Sequence, residues 1–272
     1  MQGLIQTIAS QECFKASLLL AQYFQKECLP VEHYQQTLDE WAKQAKQSLG
    51  FSIPNLNALK QFIRFFYVEL AFSADEQHYF AKQNSLINKV MEYRTGIPMS
   101  LAIVFQALAE KLGFSVHGIN FPGHFLLRAD FVQAESVYLD PNNGNVLSYS
   151  DIEALYFKIL GDVEQQKMPP EALLPATCEE SVVRLLHNLK AAYINAQDFH
   201  FALLAVELLV ELCPNDPYER RDRGFLLHQL DCLQVAVADY QYFIRQCPQD
   251  PASELLAAQV KHLVAQPLAV FH

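Results

Sequence analysis

At 272 residues with 51% hydrophobic side chains, the chain has the length of one large domain or two ordinary ones and ample material for a buried core. A formal net charge of -10, with acidic residues dispersed and no basic run longer than Arg220-Arg221, argues against nucleic-acid binding and reads as a solubility feature. Apolar runs such as Phe201–Val210 are too short and too interrupted to span a bilayer, and Met1–Ser10 has no charged region ahead of its apolar residues, so a cytoplasmic location is expected.

In chain order, the first hundred residues read as helices. Phe14, Leu18 and Ala21 make one stripe. Pro30 opens a second helix with Val31, Tyr34, Leu38, Trp41, Ala45 and Leu49 inward and Gly50 at its end. A third follows Pro54, carrying Leu59, Phe62, Ile63, Phe66 and Leu70. Pro98 suits the first turn of another, whose inner face is Leu101, Val104, Phe105, Leu108 and Leu112 and whose stop is Gly113. The period then changes. Phe114–Ile119, Phe125–Ala129 and Val137–Asp140 are short β-type segments separated by turns, the last leading into Pro141-Asn-Asn-Gly144, and together they predict a small antiparallel sheet.

Helical periodicity returns at about Ser181. Cys213-Pro-Asn-Asp-Pro217 and Cys247-Pro-Gln-Asp-Pro251 repeat the same punctuation 34 residues apart, the period of tetratricopeptide repeats. Ala202 and Ala236 fall on the small-residue position where paired helices cross. Gly224 takes the corresponding glycine position of the second unit, where the first has Lys190. The expected helix pairs are Ser181–Ala196 with Phe199–Leu212 and Tyr218–Leu230 with Leu233–Gln246, with Ala252–Val264 as a cap. The chain is accordingly divided into residues 1–167, a Pro-rich linker 168–180, and repeats 181–272. Its six cysteines include no CxxC pair and read as reduced, buried thiols.

The run Asn84-Ser-Leu-Ile-Asn88, Arg94-Thr-Gly-Ile-Pro-Met-Ser-Leu-Ala102, Gly118-Ile-Asn-Phe-Pro-Gly-His124-Phe and Leu139-Asp-Pro141 resembles the bacterial SirB-type proteins of the transglutaminase-like superfamily. The resemblance covers nearly the whole chain, because such proteins also end in tetratricopeptide-like helices. It implies an α+β fold: a helical N-terminal region plus a papain-like core with a small antiparallel sheet, followed by an all-α repeat domain. It also implies a Cys-His-Asp triad whose cysteine starts a helix, where the dipole favours the thiolate. His124 and Asp140 match two members. The thiol is missing, because alignment places Pro98 in its slot, or Ser100 after a two-residue shift.

Ser100 as nucleophile would need His124 as a general base and an oxyanion hole; alternatively its hydroxyl satisfies a backbone N–H in the first helical turn. His124 and Asp140 are expected to hydrogen-bond each other whether or not they catalyse anything. Asn84, Asn88, Arg94, Pro98 and Asn120 are candidates for the rim of the same cleft, with cap or turn roles as the alternative. No metal-ligand spacing and no phosphate-binding loop occur, so no metal or cofactor is expected. These residues support three readings. The preferred one is a non-catalytic protein that binds a protein or peptide partner through its repeat groove and degenerate cleft. The others are a hydrolase or acyltransferase using Ser100, His124 and Asp140, and a small-ligand or peptide-binding module.

Overall fold

The computed structural model of the chain describes residues 2–25, 29–50, 54–161 and 167–265. Cys28 and the end of the chain from residue 266 lie outside them. The chain divides into two compact units, Met1–Leu185 and Leu186–His272.

The first unit begins with α1 (Gln2–Ala9), α2 (Cys13–Gln25), α3 (Val31–Leu49) and α4 (Leu56–Arg64). Helix α3 buries Val31, Tyr34, Leu38, Trp41 and Ala45 as its spacing predicts, and it stops at Gly50, whose φ of 60° is a left-handed conformation that glycine adopts without strain. Asn55 caps α4 by accepting the Ala58 N–H at 2.9 Å. The same helix then widens into a π-turn over Phe65–Glu69, closed by Leu70 N–H donating to the Phe65 carbonyl at 2.8 Å. Strand β1 (Ser73–Ala74) pairs in parallel with β2 (Thr95–Gly96) on either side of α5 (Ile87–Tyr93).

Helix α6 (Pro98–Lys111) is buried nearly all round: Met99 to Phe105 without a break, then Leu108 and Ala109. A helix apolar on every face belongs inside a core, and aromatic side chains surround this one. Phe62 stands 4.6 Å and Phe66 5.1 Å from the Phe105 ring, centroid to centroid, and Phe66 stacks on Phe72 at 4.3 Å. Next comes the antiparallel sheet β3 (Ser115–Ile119), β4 (Leu126–Phe131), β5 (Ala134–Leu139) and β6 (Val146–Leu147), in that order. Gly118 in β3 lies under the Phe125 ring, where a Cβ would come within 2.5 Å of it. Helix α7 (Tyr149–Leu160), capped by Ser148, covers the sheet with Ile152, which joins Ile119, Phe121, Leu126, Met168 and Leu173 in one apolar cluster. That cluster supports the turn between β3 and β4.

Helix α8 (Cys178–Asn195) starts in the first unit and runs into the second. The second unit continues with α9 (Phe199–Leu212), α10 (Pro217–Gln229), α11 (Leu233–Gln246) and α12 (Pro251–Ala265), the helix pairs and cap that the repeat punctuation predicts. Gly224 is needed where α10 crosses α11, since a Cβ would sit 2.9 Å from the Tyr240 ring and 3.2 Å from the Ala236 carbonyl. At the corresponding place in the first repeat, Lys190 is buried and donates to both Glu219 oxygens at 2.9 Å and to Asp222 at 2.7 Å. That charge pairing ties α8 of the first repeat to α10 of the second.

Candidate functional site

His124 lies in the turn between β3 and β4, and Asp140 directly follows β5, the strand paired with β4. The register Leu127 opposite Leu139 brings the two together, and His124 Nε2 lies 3.3 Å from Asp140 Oδ1. The same Oδ1 accepts the Asn142 N–H at 2.9 Å, while the Asp140 carbonyl accepts the Gly144 N–H at 2.8 Å. Burial opposes ionisation of Asp140, yet the hydrogen bonds from His124 and from the Asn142 N–H hold its carboxyl below the ordinary range. With Nε2–H donating to this carboxylate, Nδ1 keeps its lone pair for another group. The two side chains are 21% and 22% exposed, so an external molecule can reach the imidazole.

Tyr67 closes this loop from the π-turn. Its hydroxyl donates to the Pro141 carbonyl at 2.8 Å, and burial, with the Asp140 charge adding to it, pushes the phenol up. Gly144, at a φ of +74°, packs so closely on Tyr67 that a Cβ would meet the ring at 2.5 Å. On the other side, Arg184 of α8 donates to the Asn120 side chain at 2.5 Å and to the Phe121 carbonyl at 2.9 Å, the carbonyl that also accepts the His124 N–H at 3.2 Å. Asn120 thus belongs to the His124 turn. Arg184 is held by it from more than sixty residues away, and no local sequence signal marks the pairing.

The remaining candidates are engaged elsewhere. Pro98 is the first residue of α6, and Ser100 lies two residues on, with no exposed surface. The Ser100 hydroxyl donates to the Asn84 carbonyl at 2.6 Å and accepts the Ile97 N–H at 3.1 Å, tying the helix start to the preceding loop. Gly96 faces it so closely that a Cβ there would lie 2.6 Å from Ser100 Oγ. Asn84 spends its side-chain amide on the His78 carbonyl at 2.9 Å and Asp75 at 3.2 Å. Asn88 pairs reciprocally with Gln25 of α2 at 2.8 and 3.2 Å. Arg94, left-handed at the end of α5, lays its guanidinium 3.9 Å from the Trp41 ring centroid and 5.1 Å from that of Phe72, and burial lowers its pKa. The hydrogen bonds therefore gather His124, Asp140 and Asn120 at one place and Asn84 and Ser100 at another. Asn88 and Arg94 serve the helical packing.

Among the described residues no group of three or more His, Cys, Asp or Glu side chains is arranged to hold a metal ion, and no helix is long and apolar enough to cross a membrane.

The sequence matches the family described as Transglutaminase-like superfamily over residues 32–187 and that described as Tetratricopeptide repeat over residues 189–261, so the molecule is a transglutaminase-like protein carrying helical repeats. It is 38% identical over 232 residues to the UPF0162 protein of Vibrio cholerae, covering 82% of this chain and 85% of that one. It is 34% identical to a UPF0162 protein of Pasteurella multocida, covering 74% and 75%, and 28% identical to Protein SirB1 of Salmonella typhimurium, covering 94% of each chain. The chain belongs to the UPF0162/SirB1 family of the transglutaminase-like superfamily. No solved structure matches it.

Proposed function

We propose that this is a non-catalytic member of the superfamily, acting in the bacterial cytoplasm as a protein-binding regulator or scaffold through its helical repeats and its degenerate cleft. In this reading residues 1–167 carry the cleft, 168–180 form the linker and 181–272 present the repeats. The observation that carries it is the state of Ser100, the hydroxyl that a two-residue shift would place at the nucleophile position: fully buried, and committed to the Asn84 carbonyl and the Ile97 N–H. A nucleophile needs an exposed oxygen within reach of its base, and Ser100 has neither. His124 and Asp140 keep the geometry that orients an imidazole, and among the described residues no cysteine or serine side chain is hydrogen-bonded to His124.

The test is incubation of the full chain with a serine-directed fluorophosphonate, followed by peptide mass spectrometry. No adduct on Ser100 is expected, and stoichiometric labelling of Ser100 that vanishes in His124→Ala would refute the reading in favour of the hydrolase. Partner binding is read in parallel by immobilising the wild type and Phe225→Asp, a half-exposed α10 position, against bacterial lysate. A specific partner lost by the variant is expected; identical capture by both contradicts a role for the repeat face.

A further inference from the structure

A second group of reactive side chains lies in the first unit away from the His124 turn. Helix α2 begins at Cys13 and α8 begins at Cys178, so each thiol occupies the first residue of a helix, where unpaired N–H groups and the macrodipole favour a thiolate. The fold brings these two helix starts together. Gln11 Oε1 accepts the Cys178 N–H at 2.9 Å, and the Cys178 thiol lies against that of Cys13. Ser181, one turn along α8, and Ser17, one turn along α2, bring hydroxyls beside the Cys13 sulfur, the Ser17 hydroxyl donating to the Cys13 carbonyl at 2.8 Å. The contact with Cys178 holds the Cys13 thiol below its ordinary range, against burial and with help from the two hydroxyls, while the same contact and burial push Cys178 up. Cys178 is buried and Cys13 partly exposed; neither forms a disulfide.

This is the arrangement of an attacking thiolate with a second thiol already in contact. Two helix starts supply the stabilising field, the Ser181 hydroxyl lies beside the sulfur, and the neighbouring thiol is positioned to displace whatever forms on the first one. We propose that Cys13 and Cys178 are a peroxide-reactive dithiol, Cys13 attacking and Cys178 resolving. The Cys13 thiolate attacks one oxygen of hydrogen peroxide: an S–O bond forms as the O–O bond breaks, giving a sulfenic acid and hydroxide. The Cys178 sulfur then attacks the Cys13 sulfur. The S–S bond forms, the S–O bond breaks, and the hydroxyl leaves with the Cys178 proton as water. Two thiols lose two electrons in all, and one peroxide becomes two waters once the released hydroxide is protonated. The product links the first residue of α2 to the first residue of α8, the helix that continues into the second unit.

The test uses the reduced full chain, treated with hydrogen peroxide, blocked with iodoacetamide and digested without reduction. Mass spectrometry is expected to find a Cys13–Cys178 linked peptide, two hydrogens lighter than the sum of its parts, with Cys213, Cys232 and Cys247 carrying the block. In Cys178→Ser, dimedone is expected to trap a Cys13 sulfenic acid at about tenfold the yield at the exposed Cys232. The linked peptide is measured on the wild type, so the outcome does not depend on how the variant folds. Recovery of both Cys13 and Cys178 as blocked thiols while Cys232 oxidises, or pairing of Cys13 with Cys28 instead, would overturn the proposal.

Discussion

Lys190→Met tests how the first repeat is held to the second. Lys190 and Glu219 are 9% and 3% exposed at their side chains and meet in two hydrogen bonds of 2.9 Å, with a third of 2.7 Å from Lys190 to Asp222. At an effective dielectric of about 20, unit charges ~3 Å apart attract by roughly 5 kcal/mol, and desolvating both ends offsets most of that. Burial outweighs even the pull of Lys190, so Glu219 stays above its ordinary range. The pair contributes little net stability, but removing one end leaves a buried carboxylate without its cation, at a cost of about 3–5 kcal/mol. Replacing both, as Lys190→Met with Glu219→Gln, is expected to recover most of the loss and leave a deficit of about 1 kcal/mol. Because the folded pKa of Glu219 is raised, its contribution is fully present below the unfolded value and is lost as pH rises through the folded one. The Lys190→Met deficit therefore shrinks as the solution is acidified. Urea unfolding of the wild type, both single variants and the double variant, followed by circular dichroism, measures the coupling. Strictly additive effects, or a Lys190→Met loss below about 0.5 kcal/mol, would refute the argument.

Asp140→Asn keeps the shape of the loop but removes the charge opposite His124. The folded pKa of Asp140 is depressed, so its stabilisation is present above the unfolded value and lost as pH falls through the folded one; a gap of about 1 kcal/mol at neutral pH should close in acid, and a pH-independent gap in chemical unfolding would contradict this. Arg94→Gln removes the cation lying on Trp41, the single tryptophan of the chain, at a cost of about 1 kcal/mol together with a changed indole emission. An unchanged emission spectrum would show that the stacking does not persist in solution.

The fold was legible wherever one periodic signal dominated. Pro30, Gly50, Pro98 and Gly113 mark helix ends that the structure has within a residue or two, and the 34-residue punctuation gives the helix order of the repeats. Helix α7 is hard to read from sequence although Ser148 and Asp151 form a capping box at its start, because its mixed Tyr149–Leu160 run has a weak apolar stripe and buries only Ile152. Strand β6 is two residues long and has no pattern to detect. At the site, the pairing of His124 with Asp140 can be read from a turn, a strand and a spacing of sixteen residues. The separation of Asn84, Asn88 and Arg94 from it cannot, because polar side chains near a motif in sequence can satisfy buried backbone groups, pair across helices or stack on a ring. Only the packed structure decides among those. Arg184 and Tyr67 reach the turn from distant segments, and nothing in their own sequence neighbourhoods points there.

The π-turn at Phe65–Glu69 acts as a one-residue phase shift. Ordinary α winding advances about 100° per residue, so accommodating one extra residue in a wider turn rotates the downstream residues by about that angle relative to the upstream ones. Upstream, Phe62 keeps its place against Phe105 and Phe114 in the interior. Within the turn, Phe66 still faces inward to Phe72 while its neighbour Tyr67 reaches the Pro141 carbonyl and the face of Gly144. Adjacent residues thereby serve two clients, the hydrophobic interior and the Asp140 loop. The alignment of that loop is set by a count of residues in a helix more than seventy positions earlier in the chain.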